Sequence, residues 1–343
     1  MRKKLSALIL SVVMVGSIFA GCSSKATDTA AKPTGELKKV KLQLKWLPQS
    51  QFMGYYVAKE KGYYKDAGLD VEILPGGSDI IPEQNVYNGA ADIGVTWVSS
   101  LMTYQAQGYE LQEVAQVFQK SGLLLTSKKS AGINSPADLK GKKVANWFGG
   151  NEYEILALLK KYNLDKEKDL KLVQQDYTMD QLKEGSVDAA SAMTYNEFGL
   201  LLESGISKDD LNVIDMNKEG VAMLEDCLFV NSKWASENKD TVVSFLKASI
   251  KGWQDATKDP EAAGKTVYDV DKSVSLDHQV YMAKEVAKLV TPEGFDSAKI
   301  GQIDMKAVSQ TADYLKLYNK DLAKTPVVDD TTFNSEYWKE ATK

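Results

Sequence analysis

Arginine is almost missing from this chain: among 343 residues the only one is Arg2, and the only histidine is His278. Cysteine occurs twice, at Cys22 and Cys227. Each scarcity excludes some chemistry. Without guanidinium groups there is no bidentate fork for phosphate, sulfonate or carboxylate, although lysine and backbone N–H groups remain able to hold an anion. A single histidine confines any Ser-His-Asp relay to that one residue and leaves no histidine-rich metal spacing, and two cysteines make neither a disulfide framework nor a thiolate zinc site. Basic residues number 42 against 47 acidic ones, a formal net charge of −5. Residues 1–21 hold three bases and no acid, so the remainder carries 39 against 47, a net of −8. Such acidity argues against nucleic acid, whose phosphates demand clustered Lys and Arg. What remains, 43% hydrophobic and 26% charged, is ordinary globular composition at a length that suits two folded lobes.

The N-terminus looks like an address. Residues 1–4 are basic, and 5–19 form an apolar run too short to span a bilayer comfortably and ending in small residues. Ile18-Phe19-Ala20-Gly21-Cys22-Ser23 resembles a bacterial lipobox, with Phe19 where Leu is usual. The expectation is a lipoprotein signal over 1–21, lipidation of Cys22 and a flexible Ser/Thr/Ala/Lys tether over 22–35. The protein would then work outside the cytoplasmic membrane, attached to it by lipid. The alternative is a plain signal peptide that happens to contain a cysteine.

From residue 40 onward, short β-rich runs alternate with helical stretches closed by glycine, which predicts an α/β fold. Strands are expected at 40–44, 71–74, 93–96, 111–118, 123–126, 144–147, 169–173, 189–193, 211–214 and 227–230, and a helix over 55–65. Gly89-Ala-Ala-Asp92 before Ile93 echoes Gly185-Ser-Val-Asp188 before Ala189, 96 residues later, which suggests two related lobes unless the match is coincidence. After residue 231 the chain turns helical, and Val242, Val243, Phe245, Leu246, Ile250 and Trp253 share one helical face. The layout predicted is lobe one from 36–126 and 226–343, lobe two from 127–225, each a central sheet flanked by helices, with two crossovers as a hinge.

In open α/β sheets ligands bind beyond the carboxyl ends of the strands. There the chain places Trp46, Gln49, Gln51 and Phe52, then Trp97, then Phe118. The second lobe adds Trp147, Asn151 and Glu152 on one strand end and Tyr195, Asn196 and Glu197 on another. This set suits a flat, mostly neutral heteroaromatic ring: the aromatic faces stack on it, and Glu, Gln and Asn meet its polar edge. Gly149 and Gly150 let the backbone come close, and the helix start behind them offers N–H groups to a small anion. They lack the spacing of a dinucleotide or phosphate-loop fingerprint. His278 falls in the helical C-terminal part, far from the predicted strand ends, where a histidine is more often a packing or surface residue.

The block from Lys45-Trp46-Leu47-Pro48-Gln49 through Gln51-Phe52-Met53-Gly54-Tyr55-Tyr56 to Lys61-Gly62-Tyr63-Tyr64 resembles the opening of NMT1/THI5-like proteins. The resemblance continues through Pro75-Gly76-Gly77, residues 89–97, Leu139-Lys140-Gly141-Lys142 and Tyr195-Asn196-Glu197. It implies the two-lobed periplasmic-binding-protein fold of type II and a solute-binding lipoprotein that hands its ligand to an ABC permease and its ATPase. The implied ligand is a thiamine pyrimidine precursor of the formylaminopyrimidine kind; riboflavin and sulfonate or nitrate are the alternatives. The family's aromatic and acidic contacts carry over to Trp46, Trp97, Glu152, Tyr195, Asn196 and Glu197. Fungal relatives instead synthesise the pyrimidine, consuming an active-site histidine with the help of a cysteine-rich iron motif that this chain lacks. The expectation is therefore a monomeric binding protein, not an enzyme, with no metal and no cofactor. A structural or adhesive lipoprotein is the remaining alternative.

Overall fold

The computed structural model describes residues 35–318 and 326–343. The signal segment, Cys22 and all of the tether but Gly35 lie outside the described residues. Ten strands follow in order: β1 (Lys38–Gln43), β2 (Leu69–Leu74), β3 (Ile93–Thr96), β4 (Leu111–Gln116), β5 (Leu123–Lys128), β6 (Lys143–Asn146), β7 (Lys171–Gln174), β8 (Ala189–Met193), β9 (Leu211–Asp215) and β10 (Cys227–Asn231). They form two five-stranded sheets, ordered β2-β1-β3-β10-β4 and β7-β6-β8-β5-β9. In the first, β1 runs parallel to β2 and β3, while β10 is antiparallel to β3 and β4. The second repeats this plan, with β6 parallel to β7 and β8, and β5 antiparallel to β8 and β9.

The repeat extends to single hydrogen bonds. Asp92 accepts the Lys41 N–H at 2.7 Å, and Asp188 accepts the Lys143 N–H at 2.8 Å. Gly89 and Gly185, three residues before each Asp, both adopt φ 75°. The short echo in the sequence thus marks one device used twice: a left-handed turn, then a carboxylate that ties the incoming strand to its parallel neighbour.

The chain crosses between sheets twice, through 117–122 and 221–226. The strand at 123–128 pairs with β8 and β9, so the first boundary falls before residue 123 and not after 126 as the sequence suggested. The helix expected over 55–65 is two, Met53–Glu60 and Tyr63–Asp66, because Gly62 takes φ 75° between them.

The long helix Lys239–Lys258 buries Val242, Phe245, Leu246, Ile250 and Trp253 and packs on helix Met53–Glu60 of the first lobe. Two glycines make this approach possible. A Cβ on Gly54 would sit 2.1 Å from the Trp253 ring, and one on Gly252 would sit 2.2 Å from the Gly54 carbonyl oxygen. The second clash is with backbone and finds no flexible atom to yield. Gly252→Ala is therefore expected to lower unfolding free energy by about 1–3 kcal/mol. Urea unfolding would check it, and an unchanged midpoint would contradict this packing.

Candidate functional site

Between the carboxyl ends of the two sheets lies a cavity of about 640 Å³. Of the twelve ligand-binding residues expected from sequence, ten stand in its wall: Trp46, Gln49, Gln51 and Trp97 from lobe one, and Trp147, Asn151, Glu152, Tyr195, Asn196 and Glu197 from lobe two. Phe52 and Phe118 do not. Both are fully buried in the core. Phe52 closes the short turn Ser50–Phe52 that leads into helix Met53–Glu60, and its ring joins that packing. Phe118 lies in the first crossover, edge-on to Tyr195 at 5.9 Å and to Trp253 at 6.3 Å, so it backs the wall rather than forming it.

The lobes touch across the cavity mouth. Trp46 meets Tyr177 with ring centroids 5.5 Å apart, and the Tyr177 hydroxyl bonds Ser78. Ser99 Oγ donates to the Gly150 carbonyl at 3.1 Å, and a Cβ on Gly150 would come 2.8 Å from the Trp97 ring. Gly150 also takes φ 133°, a conformation that side chains resist. Gly150→Val is expected to hold the lobes apart and weaken ligand binding at least roughly tenfold through strain and clash together. Calorimetric titration would check this; full affinity in the variant would mean that closure does not use this contact.

Four acidic residues line the wall, Asp176 at its exposed edge and Glu83, Glu152 and Glu197 deeper in. Glu83, at the start of helix Pro82–Tyr87, is fully buried; its Oε1 accepts from Thr96 Oγ1 at 2.5 Å and Ser100 Oγ at 2.6 Å. Its Oε2 has no protein partner. Glu197 accepts from the Met193 N–H at 3.0 Å and from Asn196 Nδ2 at 2.7 Å, yet burial pushes its carboxyl up to about 7. Glu152 is raised too, again by burial, against the lowering effect of backbone N–H groups that include Gly150 N at 2.7 Å. This last bond alters one expectation. The N–H of Gly150, just ahead of the helix start predicted to face a small anion, is already engaged by Glu152, the chain's own anion.

Among the described residues Lys45 is the one cationic side chain in the wall, and its Nζ lies 4.8 Å from the centre of the Trp97 ring. Two more wall residues carry buried polar atoms without a protein partner: Trp97 Nε1, a donor, and Asn151 Oδ1, an acceptor. Together with Glu83 Oε2 they leave two acceptors and one donor unsatisfied within the cavity wall.

The floor of the cavity is wired to the hinge. Gln49 Nε2 donates to Gln51 Oε1 at 3.0 Å, and Gln51 Nε2 donates to the Asp226 carboxylate at 2.9 and 3.0 Å. Beside Asp226, Glu225 Oε1 accepts from Ser121 Oγ at 2.8 Å and from the Gly122 N–H at 2.9 Å, linking the two crossovers. The same hydroxyl lies 3.0 Å from Glu154 Oε1. One hydroxyl proton cannot serve both carboxylates, so one of the acids must hold its own proton, and burial indeed raises both.

Lys45, Glu83, Ser100, Tyr104 and Tyr177 line the cavity but were not singled out from sequence. Lys45 opens the very block that carries the family resemblance, which was the available signal. Glu83 gave none beyond a Pro-Glu helix start. His278 is a packing residue as expected, 2% exposed, but it stands beside the site rather than far from it, hydrogen-bonded to Asn196 of the cavity wall.

Two lobes with this strand order, joined by a double crossover and closing on a cavity, define the periplasmic-binding-protein fold. Solved structures agree: the alkanesulfonate-binding protein SsuA from Xanthomonas axonopodis pv. citri, bound to MOPS, superposes with a TM-score of 0.67 at 15% identity, covering 87% of this chain and 99% of that one. Residues 49–263 match the family described as NMT1/THI5 like, and the chain belongs to that family. Its relatives include riboflavin-binding protein RibY of Chloroflexus aurantiacus, 25% identical over 76% of each chain. A formylaminopyrimidine-binding protein of Halalkalibacterium halodurans is 24% identical over 74% of this chain and 76% of its own. The 4-amino-5-hydroxymethyl-2-methylpyrimidine phosphate synthase THI13 of Saccharomyces cerevisiae is 25% identical over 70% and 73%.

Proposed function

We propose that this protein is the extracytoplasmic solute-binding component of an ABC importer and that it captures a small heteroaromatic ligand, an aminopyrimidine of the thiamine-precursor kind. The observation that carries the proposal is the wall itself: aromatic rings from both lobes beside four acidic residues and two unpartnered acceptors. The rings supply stacking area, and the acceptors match the exocyclic and ring N–H groups of an aminopyrimidine. Closure of the lobes around the ring holds the complex shut through greater affinity for the closed form, and the permease with its ATPase then takes the ligand. In this proposal Cys22 carries the lipid that keeps the protein at the membrane.

Riboflavin is the second reading, favoured by a cavity volume in the middle of the range for drug-sized ligands. Its ring system offers fewer N–H donors to the four acidic residues, which places it behind the aminopyrimidine. Sulfonate or nitrate fits less well, since the wall pairs a single lysine with four acidic residues. Binding without transformation is proposed over synthesis: among the described residues no histidine or cysteine lines the cavity.

A thermal-shift panel of formylaminopyrimidine, hydroxymethylpyrimidine, thiamine, riboflavin and taurine tests the reading. A saturable shift with an aminopyrimidine supports it. A shift with taurine alone, or release of a modified pyrimidine on incubation with iron and vitamin B6, overturns it.

A further inference from the structure

The chain's one histidine is placed where it acts on the cavity wall without touching the cavity. His278 lies in the first turn of helix Leu276–Val290, whose N-cap Ser275 accepts the His278 N–H. One side of this helix is fixed to lobe one, where Gln279 Oε1 accepts from Ser50 N at 2.8 Å and Ser50 Oγ at 2.7 Å. The other side grips lobe two. Tyr281 Oη donates to the Thr194 carbonyl at 2.8 Å, and its ring fills the space above Gly199, where a Cβ would come within 2.3 Å.

His278 completes that grip with both ring nitrogens. Nδ1 is 2.8 Å from Glu203 Oε1, and Nε2 is 2.9 Å from Asn196 Oδ1. The orientation of the Asn196 amide follows from its other contact: Nδ2 donates to Glu197 Oε1, so the carbonyl oxygen must face the imidazole. Both neighbours of the ring are therefore acceptors. A neutral imidazole has one N–H and would turn a lone pair toward one of these oxygens; only the imidazolium donates to both.

We propose that His278 is a positioning residue, held as an imidazolium that fastens helix Leu276–Val290 to lobe two and sets the Asn196–Glu197 pair at the cavity wall. Loss of the proton then releases either Glu203 or Asn196, and ligand affinity falls as pH rises. This consequence for binding rests on the cavity being the ligand site. The charged groups facing the ring are Glu203 directly and Glu197 through Asn196, both from helix Glu197–Glu203. Tyr281 stacks on it at 5.9 Å from its own helix, and Asp277 precedes it. The turn Ser50–Phe52 brings no titratable group. On the two other helices packed here, Asp255 pairs with Lys61, Glu261 with Lys284 and Lys265 with Asp269, while helix Lys239–Lys258 also carries Asp240, Lys247, Lys251 and Lys258.

Because there is one histidine, imidazole nitrogen NMR of the ligand-free wild-type protein reads this site alone. The proposal expects protons on both ring nitrogens at pH 6 and the loss of one on raising the pH. A ring that is already neutral at pH 6 overturns it. In parallel, calorimetry with formylaminopyrimidine from pH 6 to 8 compares wild type with His278→Gln. Wild-type affinity should fall by roughly tenfold more than that of the variant, the scale of one charge-assisted hydrogen bond. Glu197 titrates in the same range and is linked to His278 through Asn196, so the nitrogen spectrum assigns the calorimetric difference to His278. Parallel profiles, with the variant uniformly weaker, would show a packing role only and overturn the proposal. If formylaminopyrimidine binds at no pH, the proposed function fails, while the nitrogen spectrum still decides the state of His278.

Discussion

Trp97→Ala is expected to weaken binding of the ring ligand by about 1–3 kcal/mol, roughly fivefold to over a hundredfold, the range found when an aromatic platform is removed from beneath a base. Trp46→Ala should cost a similar amount. The two substitutions differ in their surroundings. Trp97 is backed by the Lys45 ammonium on one face and by Gly150 of lobe two beyond its edge, so its loss also loosens the contact between lobes. Trp46 meets Tyr177 across the mouth, and its loss opens the rim. Both rings are only half-buried, so neither variant should unfold the protein. Unchanged calorimetric affinity in both would remove the aromatic pair from the site.

The second large effect concerns stability against pH. Glu113 in β4 is fully buried, neither carboxylate oxygen has a protein partner, and burial pushes its carboxyl from 4.5 up to about 8. Below pH 4.5 the group is protonated in both folded and unfolded chains and does not discriminate between them. Between 4.5 and about 8 the unfolded chain releases the proton and the folded one keeps it, so stability falls as pH rises; above 8 the loss is complete. At about 1.4 kcal/mol per pH unit, the group costs on the order of 3 kcal/mol at pH 7 and more by pH 8. Glu113→Gln removes the titration while keeping the shape. Denaturant unfolding at pH 5 and pH 8 should show the variant gaining on wild type by several kcal/mol at the higher pH. A gain that is the same at both pH values would contradict the buried neutral acid. Glu154, Glu225, Asp226 and Glu197 are raised in the same direction, so the wild-type chain should be most stable in mild acid.

Much of the fold was legible because its signals are local. Each of the ten expected strands overlaps an observed one, because a short apolar run carries its signal within itself. The Gly-Asp echo proved to be a real repeat because its chemistry is local too, a turn and a carboxylate three residues apart. What escaped depends on partners distant in sequence. Whether residues 123–126 belong to one sheet or the other is decided by pairing with β8 and β9, more than sixty residues onward. Phe52 and Phe118 have the same composition and strand-end position as the wall residues, and only the packing against Trp253, Tyr195 and the core turns them inward. Glu83 looks like an ordinary acidic helix start until Thr96 and Ser100 arrive to satisfy one oxygen and leave the other bare. His278 and Asn196 are 82 residues apart, and no spacing rule brings them together.

The most direct test of the account is a crystal structure of the protein grown with formylaminopyrimidine. The account predicts the ring between the lobes, stacked on Trp97 or Trp46, with N–H groups directed at Glu83, Asn151 or the Glu152 and Glu197 carboxylates. A ring bound outside this cavity, or an anion held there by Lys45 in its place, would contradict it.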